Sequence, residues 1–195
     1  MPEVELPKPE ELEEIKSKAF TRRVALITAI FAVVLAICHL GGSMATKEML
    51  LAQQQASDQW AWYQAKNIRG LIDRNQKTIL ELNLLEKDSL KPEVRKRYEE
   101  ELRGVTVDEG RYNAEKEEIE KEARHLEQER DLYRSKDPYF EYGEVLLAIA
   151  IVMASIAILA YSRMALGFAL VSASLGSLLA ANGFLLIVRL PFFSP

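Results

Sequence analysis

Three stretches of this chain carry no Asp, Glu, Lys or Arg: Val24 to Leu40, Val145 to Ala160 and Met164 to Val188. A helix that crosses a bilayer needs roughly 20 apolar residues, within about 17 to 25. The first and third stretches meet that length. The second is short alone, but Tyr139, Phe140 and Tyr142 extend it with an aromatic belt of the kind found at headgroup level. The spacing therefore predicts transmembrane helices over 24–42, 138–162 and 163–190. They enclose a polar insertion, 43–137, and are flanked by an amphipathic segment, 1–23, and a tail, 191–195. The absence of Asp, Glu, Lys and Arg from the three apolar stretches argues against a proton relay or a voltage sensor.

A mean hydropathy near zero conceals this division. With 25 Lys+Arg against 29 Asp+Glu, the formal net charge is −4. A general nucleic-acid binder carries a basic face, so nucleic acid is not an expected partner. Cys38 is the only cysteine, so no disulfide forms within one chain. Read as a signal peptide, Val24 to Leu40 has a preceding region that is too long and begins acidic, with Glu3, Glu5, Glu10, Glu11, Glu13 and Glu14. Ser43-Met44-Ala45 is a passable cleavage site, but the two later apolar stretches and the continuing helix predict retention.

The insertion opens with a proline-free run, Met44 to Asp88. In it Leu51, Gln54, Asp58, Ala61, Ala65, Ile68, Ile72, Asn75, Ile79, Leu82 and Glu86 alternate at spacings of three and four. That is a coiled-coil seam, apolar from Ala61 to Leu82 except at Asn75. At about 1.5 Å per residue the run makes a rod of roughly 65 Å. Polar seam residues such as Gln54 and Asp58 fix register, or line a wet funnel if this end surrounds a symmetry axis.

Gly41-Gly42, between the first span and the rod, predicts a kink or a close helix contact. Beyond the rod, Pro92 opens a short helix, Glu93 to Arg103, which Gly104 closes. Thr106-Val-Asp-Glu109 reads as a capping box for a returning helix, about Val107 to Ser135. There Tyr112, Ile119, Leu126 and Tyr133 recur every seven residues, with Ala123 as a partial second stripe. Asp137-Pro138 marks the junction with the second span. The expected fold class is thus an all-α membrane protein, with three transmembrane helices and a long extramembrane antiparallel helical (coiled-coil) hairpin. The outgoing arm is expected to exceed the returning one. Tip helix or neighbouring subunits would take up the difference.

At the N-terminus, Pro9-Glu-Glu-Leu-Glu-Glu-Ile opens like a helix, and Leu12, Ile15 and Ala19 form a stripe suited to a membrane surface. Lys16, Lys18, Arg22 and Arg23 precede the first span, and Arg163 lies in the tight Tyr161-Ser-Arg-Met turn. Positive residues stay cytoplasmic, so the N-terminus is expected inside and the hairpin outside. Arg130, Arg134, Lys136 and Arg189 run against that assignment.

No phosphate loop, paired-cysteine zinc pattern or nucleophile elbow occurs in the sequence. Glu122-Ala-Arg-His125 has the Glu-x-x-His spacing of carboxylate-bridged di-iron bundles. Such a site needs a second unit and two further glutamates, and His125 lies off the apolar stripe. A solvated helix face is the expected role, with no metal and no catalytic residue. Trp60, Trp62, Tyr63 and Lys66 form an aromatic cluster expected to pack the hairpin base near the headgroups. Its alternative role is a partner surface with cation–π contact to Lys66.

Small residues let membrane helices approach closely. Ser172, Gly176 and Ala180 are spaced by four, as are Ala173, Ser177 and Ala181, and Ala25, Ala29 and Ala32, Ala36 do likewise. Asn182 is expected to face another helix.

At Asp58-Gln-Trp-Ala-Trp-Tyr-Gln-Ala-Lys66 the chain resembles a family of small bacterial membrane proteins classed only as a domain of unknown function. The resemblance covers nearly the whole chain and is most specific from Trp60 through Lys66. It implies one N-terminal span, an insertion opening with Trp-x-x-Tyr-Gln-Ala-Lys, two C-terminal spans and an inner-membrane location. It implies no activity.

The expected function is a non-enzymatic oligomeric scaffold or accessory subunit that organises a complex at the inner membrane. Its expected partners are the lipid bilayer, further copies of the chain and a larger membrane complex, without a cofactor. A homo-oligomeric pore is the alternative, and only Thr28, Ser172, Ser174, Ser177 and Asn182 offer it a polar path. A metal-binding protein acting through Glu122 and His125 is the second alternative.

Overall fold

A computed structural model describes residues 9–86 and 91–189, with side chains from Lys16 onward. The side chains of Leu12 and Ile15, the expected rod end at Asp88-Ser89-Leu90 and the tail 191–195 fall outside the described residues. Three helices make up the fold: α1, Pro9–Glu86; α2, Pro92–Ala160; and α3, Arg163–Leu185. Each contains a segment long and apolar enough to cross a membrane. The chain divides into two compact units, 1–48 with 132–195, and 49–131.

The first unit is a three-helix bundle. Phe20 of α1 meets Tyr161 beyond α2 at one end, with ring centroids 6.5 Å apart. At the other end Phe140 of α2 meets Phe184 of α3 edge to face at 4.9 Å. Neighbouring helices are therefore antiparallel. Helix α1 buries Val24, Phe31, Cys38 and Ala45, one residue every heptad, against Phe140, Leu147, Ala150, Ala154, Ala169, Ala173 and Ala180. The tight turn expected at Tyr161 is present. Tyr161 takes φ 47°, and Ser162 caps α3 by accepting a hydrogen bond from the Ala165 amide.

Gly41-Gly42 lies inside the continuous helix α1. Of the two expectations there, the close helix contact is the one present: a Cβ on Gly41 would lie 2.5 Å from the Phe184 ring and 2.6 Å from the Phe140 ring. Pro138 does not end a helix but lies within α2. An interior proline loses a hydrogen bond and crowds the preceding turn, at about 3 kcal/mol. Tyr139 and Phe140, which follow it, are each only 2% exposed, and their burial outweighs that cost. The alanine ridges Ala25, Ala29 and Ala32, Ala36 are exposed within the chain, because α1 packs through its Val24 heptad.

The second unit is an antiparallel helical hairpin. Its cross-links step back along α2 as they advance along α1. Gln53 pairs with Arg130, Trp60 with Glu127, Asn67 with Lys116, Arg74 with Glu109 and Gln76 with Glu101. The expected separate tip helix is absent: α2 runs through Gly104 from Pro92. Thr106 caps nothing. Its hydroxyl donates to the Leu102 carbonyl one turn back, at 2.7 Å. The former tip helix is therefore the start of the returning arm, and the two arms match in length rather than differing.

Candidate functional site

The outgoing arm of the hairpin carries two heptad faces. The inner one runs through Ala52, Ala56, Gln59, Tyr63, Lys66, Gly70, Asp73, Lys77 and Leu80, each buried or half-buried. It mixes small residues with polar and charged ones and carries few large apolar side chains. Its partner is the returning arm, where Tyr112, Ile119, Ala123 and Leu126 are buried or half-buried as expected; Tyr133, half-buried, lies in the first unit. Charge matching completes the pairing. Glu109 accepts hydrogen bonds from Arg74 Nε at 3.1 Å and Lys77 Nζ at 3.3 Å. Glu115 pairs with Lys66.

The other face is the seam expected from sequence. Gln54, Asp58, Ala61, Ala65, Ile68, Ile72, Asn75, Ile79 and Leu82 are all exposed. Ile68 is 59% exposed, Ile72 57%, Ile79 58% and Leu82 50%, with Leu71 and Leu85 beside them. One chain thus buries its polar face and leaves its apolar face open. That settles a point left open by the periodicity: the seam is not the inside of a single hairpin.

The aromatic cluster divides. Trp60 is half-buried and donates from Nε1 to Glu127 at 3.0 Å, and Tyr63 stands edge-on to it at 5.5 Å. Trp62 is 66% exposed. The Lys66 ammonium lies 5.2 Å from the centre of the Tyr112 ring, so its aromatic contact crosses the hairpin. Beside Trp62 an open groove is lined by Asp58, Lys66, Glu115, Glu118, Glu122 and His125, among others. Glu122 and His125 are both exposed, and among the described residues no three His, Cys, Asp or Glu side chains gather as metal ligands.

In the three-helix unit, Ser172, Gly176 and Ala180 are buried. Gly176 meets α2 so closely that a Cβ there would lie 2.9 Å from the Gly143 carbonyl. The Ser172 hydroxyl donates to the Leu146 carbonyl at 2.8 Å. Asn182 does not bond another helix. Its side chain bonds the backbone of Val188 in both directions, at 2.7 Å and 2.9 Å, and so fixes the chain beyond α3. Sequence reasoning missed the polar pair His39 and Glu144, 3.2 Å apart, and the Val24, Phe31, Cys38, Ala45 heptad. Strict seven-residue spacing was the signal for the latter.

Titration bears on the hairpin. Hydrogen bonds from Arg74, then Lys77, hold the Glu109 carboxyl below its ordinary value of 4.5. The hydrogen bond from Lys66 does the same to Glu115. A carboxyl depressed in the fold stabilises it above the unfolded value and loses that contribution as pH falls through the folded value. Thermal melts followed by circular dichroism should therefore fall as pH drops below about 4.5. Glu109→Gln with Glu115→Gln should flatten that fall. An unchanged slope in the double variant would show that these pairs do not set it.

The fold defines an all-helical protein with three helices of membrane-crossing length, two of which also form a polar hairpin. The chain belongs to the family described as a domain of unknown function (DUF4337), which matches residues 20–186. No curated protein and no solved structure matches the chain.

Proposed function

We propose that this protein is a non-enzymatic scaffold or accessory subunit of the bacterial inner membrane that assembles with further copies of itself. The observation that carries the reading is the exposed apolar heptad from Ala61 to Leu82, opposite the face the chain uses for its own hairpin. Contiguous exposed apolar surface on a soluble element marks an interaction site. The exposed alanine ridges of α1 offer further close-approach surfaces at bilayer depth. Lys16, Lys18, Arg22, Arg23 and Arg163 support a cytoplasmic N-terminus and a periplasmic hairpin. Labelling of Asp108→Cys, in a Cys38→Ala background, by an impermeant maleimide in intact spheroplasts reads that side.

The test of assembly is native mass spectrometry of the full chain in mild detergent at native lipid content. Masses of two or more copies are expected. A monomer under those conditions would overturn the reading.

A further inference from the structure

We propose that the outgoing arms of three or more copies pack parallel and in register along the Ala61 to Leu82 stripe. The proposal rests on the self-assembling membrane reading above and names the surface and geometry of that assembly.

The first observation is the repeat. Ala65, Ile72 and Ile79 take the first core position of successive heptads, and Ala61, Ile68, Asn75 and Leu82 the second. All seven are exposed in the chain's own fold. A seven-residue period sustained on one helix matches a partner helix with the same period. The returning arm does not supply one. Among the described residues its large exposed apolar side chains are Val94 and Val107, without that repeat. Among the described residues of the hairpin the outgoing stripe is matched only by itself.

Direction follows from the chain's path. The arm beginning at Met49 follows the first membrane-crossing segment in sequence. Copies inserted with one topology send their outgoing arms from the same side of the bilayer, so the arms run parallel. Register follows from Asn75. An asparagine buried in an apolar seam needs a polar partner in its own layer, and a parallel in-register bundle brings every copy's Asn75 to one level. The same alignment layers isoleucine on isoleucine above and below it.

Charge agrees. The flanking positions carry Trp62, Arg69, Gln76 and Asn83 on one side and Gln64, Leu71, Thr78 and Leu85 on the other. Arg69 is the single charge among them, and in parallel register it meets Gln64 of a neighbour. Lys66, Arg74 and Lys77 are already engaged by Glu115 and Glu109 of the returning arm. Copy number follows from width. Leu71 and Leu85, 56% and 75% exposed, broaden the apolar face beyond a two-stranded seam. Isoleucine holds the second core position at Ile68 and the first at Ile72 and Ile79, and where it holds both in succession it favours trimers or tetramers over dimers.

The experiment is cross-linking of the full chain in native membranes, in a Cys38→Ala background. Single variants Ala65→Cys, Ile72→Cys and Ile79→Cys are oxidised with copper phenanthroline, with Val107→Cys on the returning arm as the comparison. These positions are exposed in the single chain, so the hairpin itself is left intact. Each of the three stripe cysteines should cross-link to its own kind, several-fold more than Val107→Cys does, and native mass should show three or more copies. A mixture of Ala65→Cys with Leu82→Cys that cross-links while the single variants do not would show antiparallel arms and overturn the proposal. Multimers by native mass with no stripe cross-link would place the contact elsewhere, on another surface or a different protein. That result overturns the proposal and leaves the self-assembly reading standing. A dimer mass overturns the copy number, whereas a monomer overturns the reading on which the proposal rests.

Discussion

Ile72→Asp is expected to fold and insert like the parent protein and to shift its assembly to smaller species by native mass spectrometry. In the single chain Ile72 is 57% exposed and opposite the hairpin interface, so a carboxylate there meets water. In an assembly built on the stripe, the same carboxylate enters an apolar layer beside identical carboxylates from other copies. Unpaired buried charge costs several kcal/mol, and about 1.4 kcal/mol corresponds to a tenfold change in association. The assembly should therefore weaken by at least about a hundredfold. Val107→Asp supplies the comparison, because Val107 is 70% exposed on the returning arm and outside the stripe. Equal masses for the two variants would show that the stripe is not the contact.

Phe140→Ala should be the most damaging single substitution in the three-helix unit. The Phe140 ring is 2% exposed and fills the space left where Gly41, Gly42 and Gly183 carry no side chain. It also stands edge to face with Phe184, at an interplanar angle of 80°. Truncating a buried phenylalanine costs about 3–5 kcal/mol through lost burial and the cavity left behind. The three glycines cannot close that cavity, since none has a side chain to move. A thermal melt in detergent should drop well below the parent's. A melt within a degree or two of the parent's would mean that the ring does not hold the three helices together.

The two variants separate the molecule's tasks. Ile72→Asp acts on contacts between copies, and Phe140→Ala on packing within one. A joint loss of mass and melting in both would mean that the chain folds only as it assembles.

That three segments are long and apolar enough to cross a membrane, the antiparallel return and the turn at Tyr161 were legible in the sequence. Each depends on local properties: apolar length, seven-residue recurrence, and residues that cap or bend the chain. The Tyr112, Ile119, Leu126, Tyr133 stripe was legible for the same reason, being the only apolar face of a charged helix. Gly104 and Pro138 misled because local breakers add costs of about 1 and 3 kcal/mol that surrounding contacts outweigh. Asn182 misled because its partner, the Val188 backbone, becomes available only when the chain turns back beyond α3.

The sequence alone determined that the outgoing arm is a heptad helix with an apolar stripe from Ala61 to Leu82. It could not determine which face of that helix the chain keeps for itself. Two registers share the helix, and hydrophobicity selects the isoleucine one. The folded chain turns the other one inward, and Glu109, Glu115 and Glu127 on the returning arm meet Arg74, Lys77, Lys66 and Trp60 across and beside it. Those matches join residues far apart in the chain, so no local pattern announces them. They leave the apolar register facing outward.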